Sequence, residues 1–461
     1  MDVSLSEMLA AVNGQRLDGC ADWSGVEKVS TDTRTLSKGD LFFALSGPRF
    51  DGHDFISEAS LRGATAFVIS DTKKVSEIQK KLGFFIVVKD VLTAYGDLAK
   101  YWRTRFKVPV VAITGSSGKT TVKELSAHLL SAQKKVLKNR GTENNLVGVP
   151  KTLLQLDDTY EAVILEMGTN QPGEIERLSS IIAPQVAVVT LIGHSHLEGL
   201  KDLSGVKKEK LSLLKNLDRG GLLILNGEDP SLSDVRSSTH RVVHVGLKKE
   251  GMDHFADNIW CHEKGSSFHL DGKDLFESPL IGKHNIINAL LALSVCAALG
   301  QNLEDARSAL KDFRPVAGRL CVKDIAGIQW IDDTYNSNPS SFKAALETLK
   351  SLRTRGRKGV VFGDMLELGP AAEDLHREIG ALLAEHHFDY VIGVGPLSQF
   401  AVDEALKKGY NPSKIFKVSD SLEAGKKCLK EVSQGDTVLV KGSRGMKMEK
   451  VIECFTTSST P

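Results

Sequence analysis

No apolar stretch of the 461-residue sequence is long enough to cross a bilayer: the most apolar helical run, ALLALSVCAALG at 289–300, falls short of a span. The six cysteines (Cys20, Cys261, Cys296, Cys321, Cys428 and Cys454) are scattered, with no C-x-x-C pair. That argues against a disulfide framework or a zinc site and for free thiols in a reducing compartment. Neither sign of charge is in excess, with 59 basic residues against 58 acidic ones and a net charge of +1. General attraction to nucleic acid or to an anionic membrane is thereby excluded, although local basic patches remain open. The opening MDVSLSE is polar and acidic, unlike a signal peptide. A cytoplasmic location is expected, with no nucleic-acid partner and no membrane insertion. Short-period repeats are lacking, and so are low-complexity tracts apart from the tail TTSSTP at 456–461.

What is present is an ordinary globular composition, 41% hydrophobic and 25% charged, in a chain long enough for two or three domains. In the first hundred residues short apolar runs (LFFAL at 41–45, ATAFVIS at 64–70, GFFIVVKD at 83–90) alternate with polar helical stretches, a small α/β domain over 1–107. A helix over 92–106 leads into Pro109 as a boundary. Over 108–314 the runs VPVVAITG, KKVLKN, EAVILEMG, VAVVTLIG, GLLILNGED and RVVHVG are mostly continuous rather than alternating. This is the pattern of parallel strands covered on both faces, and the intervening helical segments predict a doubly wound sheet. SSFHLDGKDLFE at 266–277 predicts a hairpin turning at Asp271–Gly272. Over 315–461 five further apolar runs alternate with helical segments, predicting a C-terminal Rossmann-like domain. The fold class expected is therefore α/β in three domains around a central P-loop domain.

The central domain opens on VAITGSSGKTT at 111–121. A phosphate cradle of the usual spacing, G-x-x-x-x-G-K-[ST], would need glycine where Ile113 stands; here Gly115 is followed after only two residues by Gly118. The context is right, with a strand before and a helix after. Backbone N–H groups from Ser116, Ser117 and Gly118 through Thr120 would face phosphates at the positive helix end. Lys119 would neutralise β/γ oxygens and Thr120 would ligate Mg²⁺, with Thr121 beside it. A strand–helix turn explains the glycines but not a lysine followed by two hydroxyls. A G protein is excluded because no Asn–Lys dipeptide occurs and DRGG at 218–221 precedes a strand instead of following one.

Two later strand ends carry polar clusters. LEMGTNQPGE places Glu166 where ligands of open α/β sheets gather, and TLIGHSHLEGL places His194, His196 and Glu198 after the next strand. A carboxylate with an imidazole suits Mg²⁺ beside a γ-phosphate, although such residues also serve simply as hydrogen-bonded loop groups. Lys210, in GVKKEKLSLL, reads on its own as part of a solvated basic helix face. In GKHNIINAL, Asn285 and Asn288 could read a base edge through their amides or merely cap the helix.

Taken together these motifs closely resemble the Mur ligases, ATP-dependent amide-bond-forming enzymes of peptidoglycan precursor synthesis, and within them the branch that adds D-alanyl-D-alanine. The resemblance runs from about residue 30 to about 452, and the short G-x-x-G-K-[ST] loop is the family's own form. It implies a UDP-sugar-binding segment at Ser30, Asp32, Thr33 and Arg34 (S-x-D-[ST]-R) and at Asp51, Gly52 and His53 (D-G-H-x-F). NRGTENNLVGVP resembles R-G-N-x-N-N-x-x-G-V-P, implying substrate contacts at Asn144 and Asn145, with Thr142 where asparagine is usual. EMGTNQPGEI supports Glu166 as a metal ligand but has Gln171 in place of the common histidine, which removes an imidazole there. The alignment points to His196 as second metal ligand and puts Lys210 at the lysine that carries a CO₂-derived carbamate in many members. GKHNIINAL resembles the adenine-contacting segment, favouring Asn285 and Asn288. GRL (318–320) and DDTYNSNPSSF (332–342) open the third domain, implying ATP contacts at Arg319 and Asp333 and dipeptide contacts at Tyr335, Asn336 and Asn338. VLVKGSRGM adds Lys441, Ser443 and Arg444 as candidates for contacting substrate or phosphate. The Y-N-S-N-P-S stretch argues against the branch that adds diaminopimelate or lysine.

The resemblance implies ATP and Mg²⁺ as cofactors and UDP-N-acetylmuramoyl-tripeptide and D-alanyl-D-alanine as substrates. The activity it implies joins the two through an acyl phosphate, with Lys119, Lys210 and His196 as catalytic groups in a monomeric enzyme. A folylpolyglutamate synthetase-like ligase acting on another carboxylate, or a nucleotide-binding module without turnover, would share the cradle but not the amino-terminal segment or the Y-N-x-N-P stretch.

Overall fold

The structure is a computed structural model that describes residues 1–457; the last four residues of the polar tail lie outside the described part. It divides into two compact units. One comprises Met1–Val108 with Asn139–Glu161 and Arg177–Ala183, and the other the remainder.

In the first unit the three predicted apolar runs form the strands Leu41–Phe43, Ala66–Ile69 and Phe84–Val87. They are flanked by Val29–Ser30 on one edge and an antiparallel Gln15–Arg16 on the other. The inner strands are apolar on both faces because both are covered. Phe42, Phe43, Phe67, Phe84 and Phe85 are all buried, and Phe67 stacks on Phe85 with centroids 4.7 Å apart. The predicted helix spans Val91–Thr104, opened by Asp90 accepting from Thr93 N (2.6 Å) and ending before Pro109.

The second unit holds two sheets. The larger runs, edge to edge, Asp274–Ser278, Gly265–Leu270, His254–His262, Arg241–Gly246, Leu222–Asn226, Val186–Val189, Val110–Thr114, Ala162–Glu166, Val136–Lys138. The six strands from Arg241–Gly246 to Val136–Lys138 pair in parallel, as their unbroken apolar character predicts. Val110–Thr114 lies between Ala162–Glu166 and Val186–Val189, so the chain winds one way from it and then the other. That reversal opens a crevice at the carboxyl ends of the strands. Helices Lys119–Leu130 and Lys283–Ala298 pack together into the core of this sheet through Val122, Leu125, Ile286 and Leu290. The predicted hairpin turns at Asp271 and Gly272, both with positive φ (53° and 71°). Strand His254–His262 escapes the sequence pattern, because Asp257 and Asn258 interrupt it where the register shifts and Asn258 has φ 47°.

The smaller sheet runs Cys321–Ile325, Ile328–Asp333, Thr437–Lys441, Lys358–Gly363, Tyr390–Val394, Ile415–Val418. All but the first are parallel and were predicted; the first is an antiparallel edge strand the pattern does not reveal. Thr437–Lys441 inserts beside Ile328–Asp333, which sets Asp333 opposite Lys441 in register. No helix among the described residues is long and apolar enough to cross a membrane.

Candidate active site

The loop expected to form a phosphate cradle sits at the winding reversal, between strand Val110–Thr114 and helix Lys119–Leu130. Its two glycines are there for different physical reasons. Gly115 has φ 147°, and a Cβ on it would lie 1.9 Å from Thr190 Oγ1; Gly118 caps the helix at φ 86°. Gly115→Ala therefore meets both a clash and backbone strain. It is expected to lower stability in urea unfolding by at least about 2 kcal/mol. Adding Thr190→Ala should relieve the clash and leave the strain, recovering only part of the loss.

Ser116 ties the cradle to the loop after the next strand. Its Oγ donates to Gly193 O (2.8 Å) and accepts from Gly193 N (3.0 Å) and Ser195 Oγ (2.9 Å). Ser117 has Thr190 Oγ1 bonded to its carbonyl and Asn338 Nδ2 to its hydroxyl (3.1 Å). Lys119 folds back so that Nζ donates to Gly115 O (2.8 Å). Burial lowers its pKa, aided by Arg319 and opposed by Glu166. Thr120 Oγ1 donates to Glu166 Oε2 (2.8 Å) and accepts from Arg319 Nη2 (2.8 Å). Thr121 is buried in the first helical turn.

The sheet thus brings Thr120 and Glu166 into direct contact from adjacent strand ends. His196 lies at φ 53°, with Nδ1 2.7 Å from Glu367 Oε2. Burial lowers its pKa, and Lys119 and Lys210 add to that against Glu367. Lys210, which in isolation reads as a solvated helix lysine, is 1% exposed and has no hydrogen-bond or ion-pair partner among the described residues. Burial and Lys119 together push its pKa well below the ordinary lysine value, against Glu209 and Glu166. Its neighbour Glu209 accepts from Gly173 N (2.7 Å) and Ile175 N (2.8 Å), locking the loop after Glu166.

Asn285 donates to Ile281 O (2.9 Å) and accepts from Asn288 Nδ2 (2.9 Å), and Asn288 Oδ1 lies against Gly118. The pair links the start of helix Lys283–Ala298 to the cradle. Arg319 lies over the Tyr335 ring at 4.0 Å. Asp333 accepts from Leu320 N (3.2 Å) and Lys441 Nζ (2.5 Å), and Lys441 also donates to Asn336 O (3.1 Å). Ser443 Oγ accepts from Leu366 N (2.9 Å) and donates to Ser337 O (3.4 Å). Arg444 is solvent-facing and paired with Glu449 (3.1 Å).

In the first unit Arg34 clasps Asp32 at 2.6–3.1 Å and pulls its carboxyl down to about 2, while Ser30 Oγ accepts from Asp32 N (3.2 Å) beside buried Thr33. Asp51 Oδ1 is 2.6 Å from His53 Nδ1, and His53 Nε2 accepts from Ser70 N (3.0 Å) and Asp71 N (3.2 Å). Both ring nitrogens of His53 are thereby committed to shaping the loop. At Gly52 a Cβ would sit 2.6 Å from Leu45 backbone, so the close approach needs glycine. Asn145 Oδ1 accepts from Val147 N (3.1 Å) and Gly148 N (2.9 Å), and Asn144 N bonds Thr142 O (2.7 Å) in the same turn.

Glu367 is the site residue that sequence reasoning missed. It is held at φ 63° in a loop supported by Ser443 and by His376, whose Nε2 accepts from Met365 N (3.0 Å). The signal was its place in GDMLELG, but only the fold brings that loop to His196.

Three family models match in order along the chain: "Mur ligase family, catalytic domain" over residues 25–103, "Mur ligase middle domain" over 113–296 and "Mur ligase, glutamate ligase domain" over 318–444. The sequence is 35% identical to the UDP-N-acetylmuramoyl-tripeptide–D-alanyl-D-alanine ligase of Bacillus subtilis over 93% of each chain. It is equally similar, at 35%, to that of Escherichia coli over 100% of each. Among solved structures it is similar to MurF from Acinetobacter baumannii (TM-score 0.90, 30% identity, 98% of each chain covered). It is also similar to MurF ligase from Thermotoga maritima in complex with ADP (TM-score 0.84, 28% identity, covering 94% of this chain and 97% of that one).

Proposed function

The chain belongs to the Mur ligase family, and on that premise we propose that it is the ATP-dependent ligase that joins D-alanyl-D-alanine to UDP-N-acetylmuramoyl-tripeptide in the cytoplasmic stage of peptidoglycan precursor synthesis. In this reading residues 1–107 hold the UDP-sugar, 108–314 the ATP and 315–461 the incoming dipeptide. What supports it is the convergence on one cradle of Thr120, which donates to Glu166, with Lys119 and Lys210, whose charges and that of Glu166 perturb one another.

A carboxylate is a poor electrophile, so it must first be activated. The substrate carboxylate oxygen attacks the γ-phosphorus, ADP leaves, and an acyl phosphate results. The dipeptide amine then attacks the acyl carbon, loses a proton, and the tetrahedral intermediate expels phosphate to leave the amide. The cradle N–H groups and the positive helix end hold the transferring group, and Lys119 leaves Gly115 O to neutralise charge on its oxygens. Thr120 Oγ1 and the Glu166 carboxylate are hard oxygen donors fit for Mg²⁺, whereas His196, the other expected ligand, is paired with Glu367 and feels the charges of Lys119 and Lys210. When bound, the ion would offset the developing phosphoryl charge.

Lys210 fits carbamylation on its own evidence. Burial and Lys119 favour the unprotonated amine of Lys210, the form that can add CO₂ with loss of a proton to give an anionic carbamate oxygen donor. The decisive experiment is ADP release by purified protein. Release should require both the nucleotide-linked tripeptide and D-alanyl-D-alanine, and turnover indifferent to the dipeptide would overturn the assignment.

A further inference from the structure

The loop from Asp333 to Asn338, between strand Ile328–Asp333 and helix Pro339–Ser351, makes more contacts than a dipeptide pocket requires. At one end Lys441 Nζ donates to Asp333 Oδ2 (2.5 Å) and to Asn336 O (3.1 Å). At the other, Asn338 divides its amide between two tasks. Oδ1 accepts from Ser341 N (2.9 Å) and caps the helix, while Nδ2 donates to Ser116 O (3.2 Å) and Ser117 Oγ (3.1 Å). Between them Tyr335 lies under the Arg319 guanidinium at 4.0 Å, and Arg319 donates to Thr120 Oγ1 (2.8 Å). One short loop therefore touches the Lys441 ammonium and reaches the phosphate cradle by two routes.

We propose that this loop couples the dipeptide subsite to the phosphate cradle, with Asn338 as the positioning residue of that coupling. The inference rests on the function proposed above. Lys441 has three N–H donors, two of them already committed to Asp333 and the Asn336 carbonyl. A ligand carboxylate drawn to that ammonium competes with both acceptors. Loosening the Asn336 carbonyl shifts Ser337 and Asn338, because the loop is too short to absorb the change. The Asn338 Nδ2 bonds are the ones such a shift alters, and they hold the residues whose N–H groups face the phosphates. Residue choice supports the assignment. Aspartate would cap the helix equally well but has no donor, and a serine hydroxyl ends one bond short of Nδ2; the amide supplies the capping acceptor and a donor that reaches the cradle from one side chain.

That separation of roles supplies the test. Asn338→Ser keeps a capping oxygen and removes Nδ2, its own hydroxyl ending one bond short of that position; Asn338→Ala removes both. Affinity for a non-hydrolysable ATP analogue with Mg²⁺ is measured by calorimetry, with UDP-N-acetylmuramoyl-tripeptide present throughout, with and without D-alanyl-D-alanine. In the unmodified protein the dipeptide should change nucleotide affinity by at least about fivefold. In Asn338→Ser that factor should fall below about twofold while the thermal midpoint holds, whereas Asn338→Ala should lose both coupling and midpoint. Full coupling in Asn338→Ser overturns the proposal, and so does an unmodified protein that ligates normally but shows no coupling. Failure of the functional reading itself looks different: the unmodified protein then shows no dipeptide-dependent ADP release, which removes the subsite and the coupling with it.

Discussion

Lys119→Ala is expected to lower the rate of substrate-dependent ADP release by at least about 10³-fold, while the thermal midpoint stays within a few degrees. The asymmetry follows from what the ammonium touches. Among the described residues its ammonium donates to Gly115 O (2.8 Å), and burial already disfavours its charge. Losing that contact is nearly neutral for folding, because the desolvation cost of the lysine disappears with it. On the proposed function the same ammonium would lie among phosphoryl oxygens in the transition state, where a buried cradle makes each unit of charge count for far more than in bulk solvent. Steady-state assay with all three substrates saturating, alongside thermal unfolding, separates the two effects. Residual activity within tenfold of the unmodified protein would remove Lys119 from the phosphoryl-transfer step.

How far this could be read from residues alone depended on whether the determinant was local. The parallel strands announced themselves because burial on both faces leaves an unbroken apolar run, as in Val110–Thr114 and Ala162–Glu166. The hairpin at Asp271–Gly272 was legible because two successive positive φ values demand those residue types. Cradle spacing was local too, and Gly115 is explained by a Thr190 hydroxyl that no sequence window contains. The helix surface on which Lys210 lies was not legible: Lys207, Lys208 and Lys210 look alike in sequence, yet only Lys210 is fully buried, because only its position turns toward Lys119 and Glu166. Glu367 and the cradle contact of Asn338 were hidden for the same reason, since both depend on segments that meet only in the folded sheet crevice. Asn145 and His53 show the converse. Their motif positions suggested substrate contact, and the fold commits the Asn145 carbonyl oxygen and both His53 ring nitrogens to backbone N–H groups or Asp51.

Lys210→Met should separate stability from function most sharply. The buried amine has no hydrogen-bond or ion-pair partner among the described residues, and its pKa is lowered well below the usual lysine value by burial and Lys119. Between its lowered folded-state pKa and the ordinary lysine value near 10.5 the unfolded chain binds more protons than the folded one, so across that window folding stability rises with pH. Methionine fills a similar volume without that penalty. The variant should gain about 0.5–2 kcal/mol in urea unfolding at neutral pH, and the gain should shrink as pH approaches the ordinary lysine value. Ligation should nevertheless fall by about 10²-fold or more, because the thioether cannot add CO₂ and supplies no anionic oxygen beside the transferring phosphate. The unmodified protein, stripped of CO₂, should lose activity in parallel and regain it on adding bicarbonate, while Lys210→Met should be indifferent to both. A variant that is destabilised but active would mean that Lys210 is a packing residue whose amine takes no part in the chemistry.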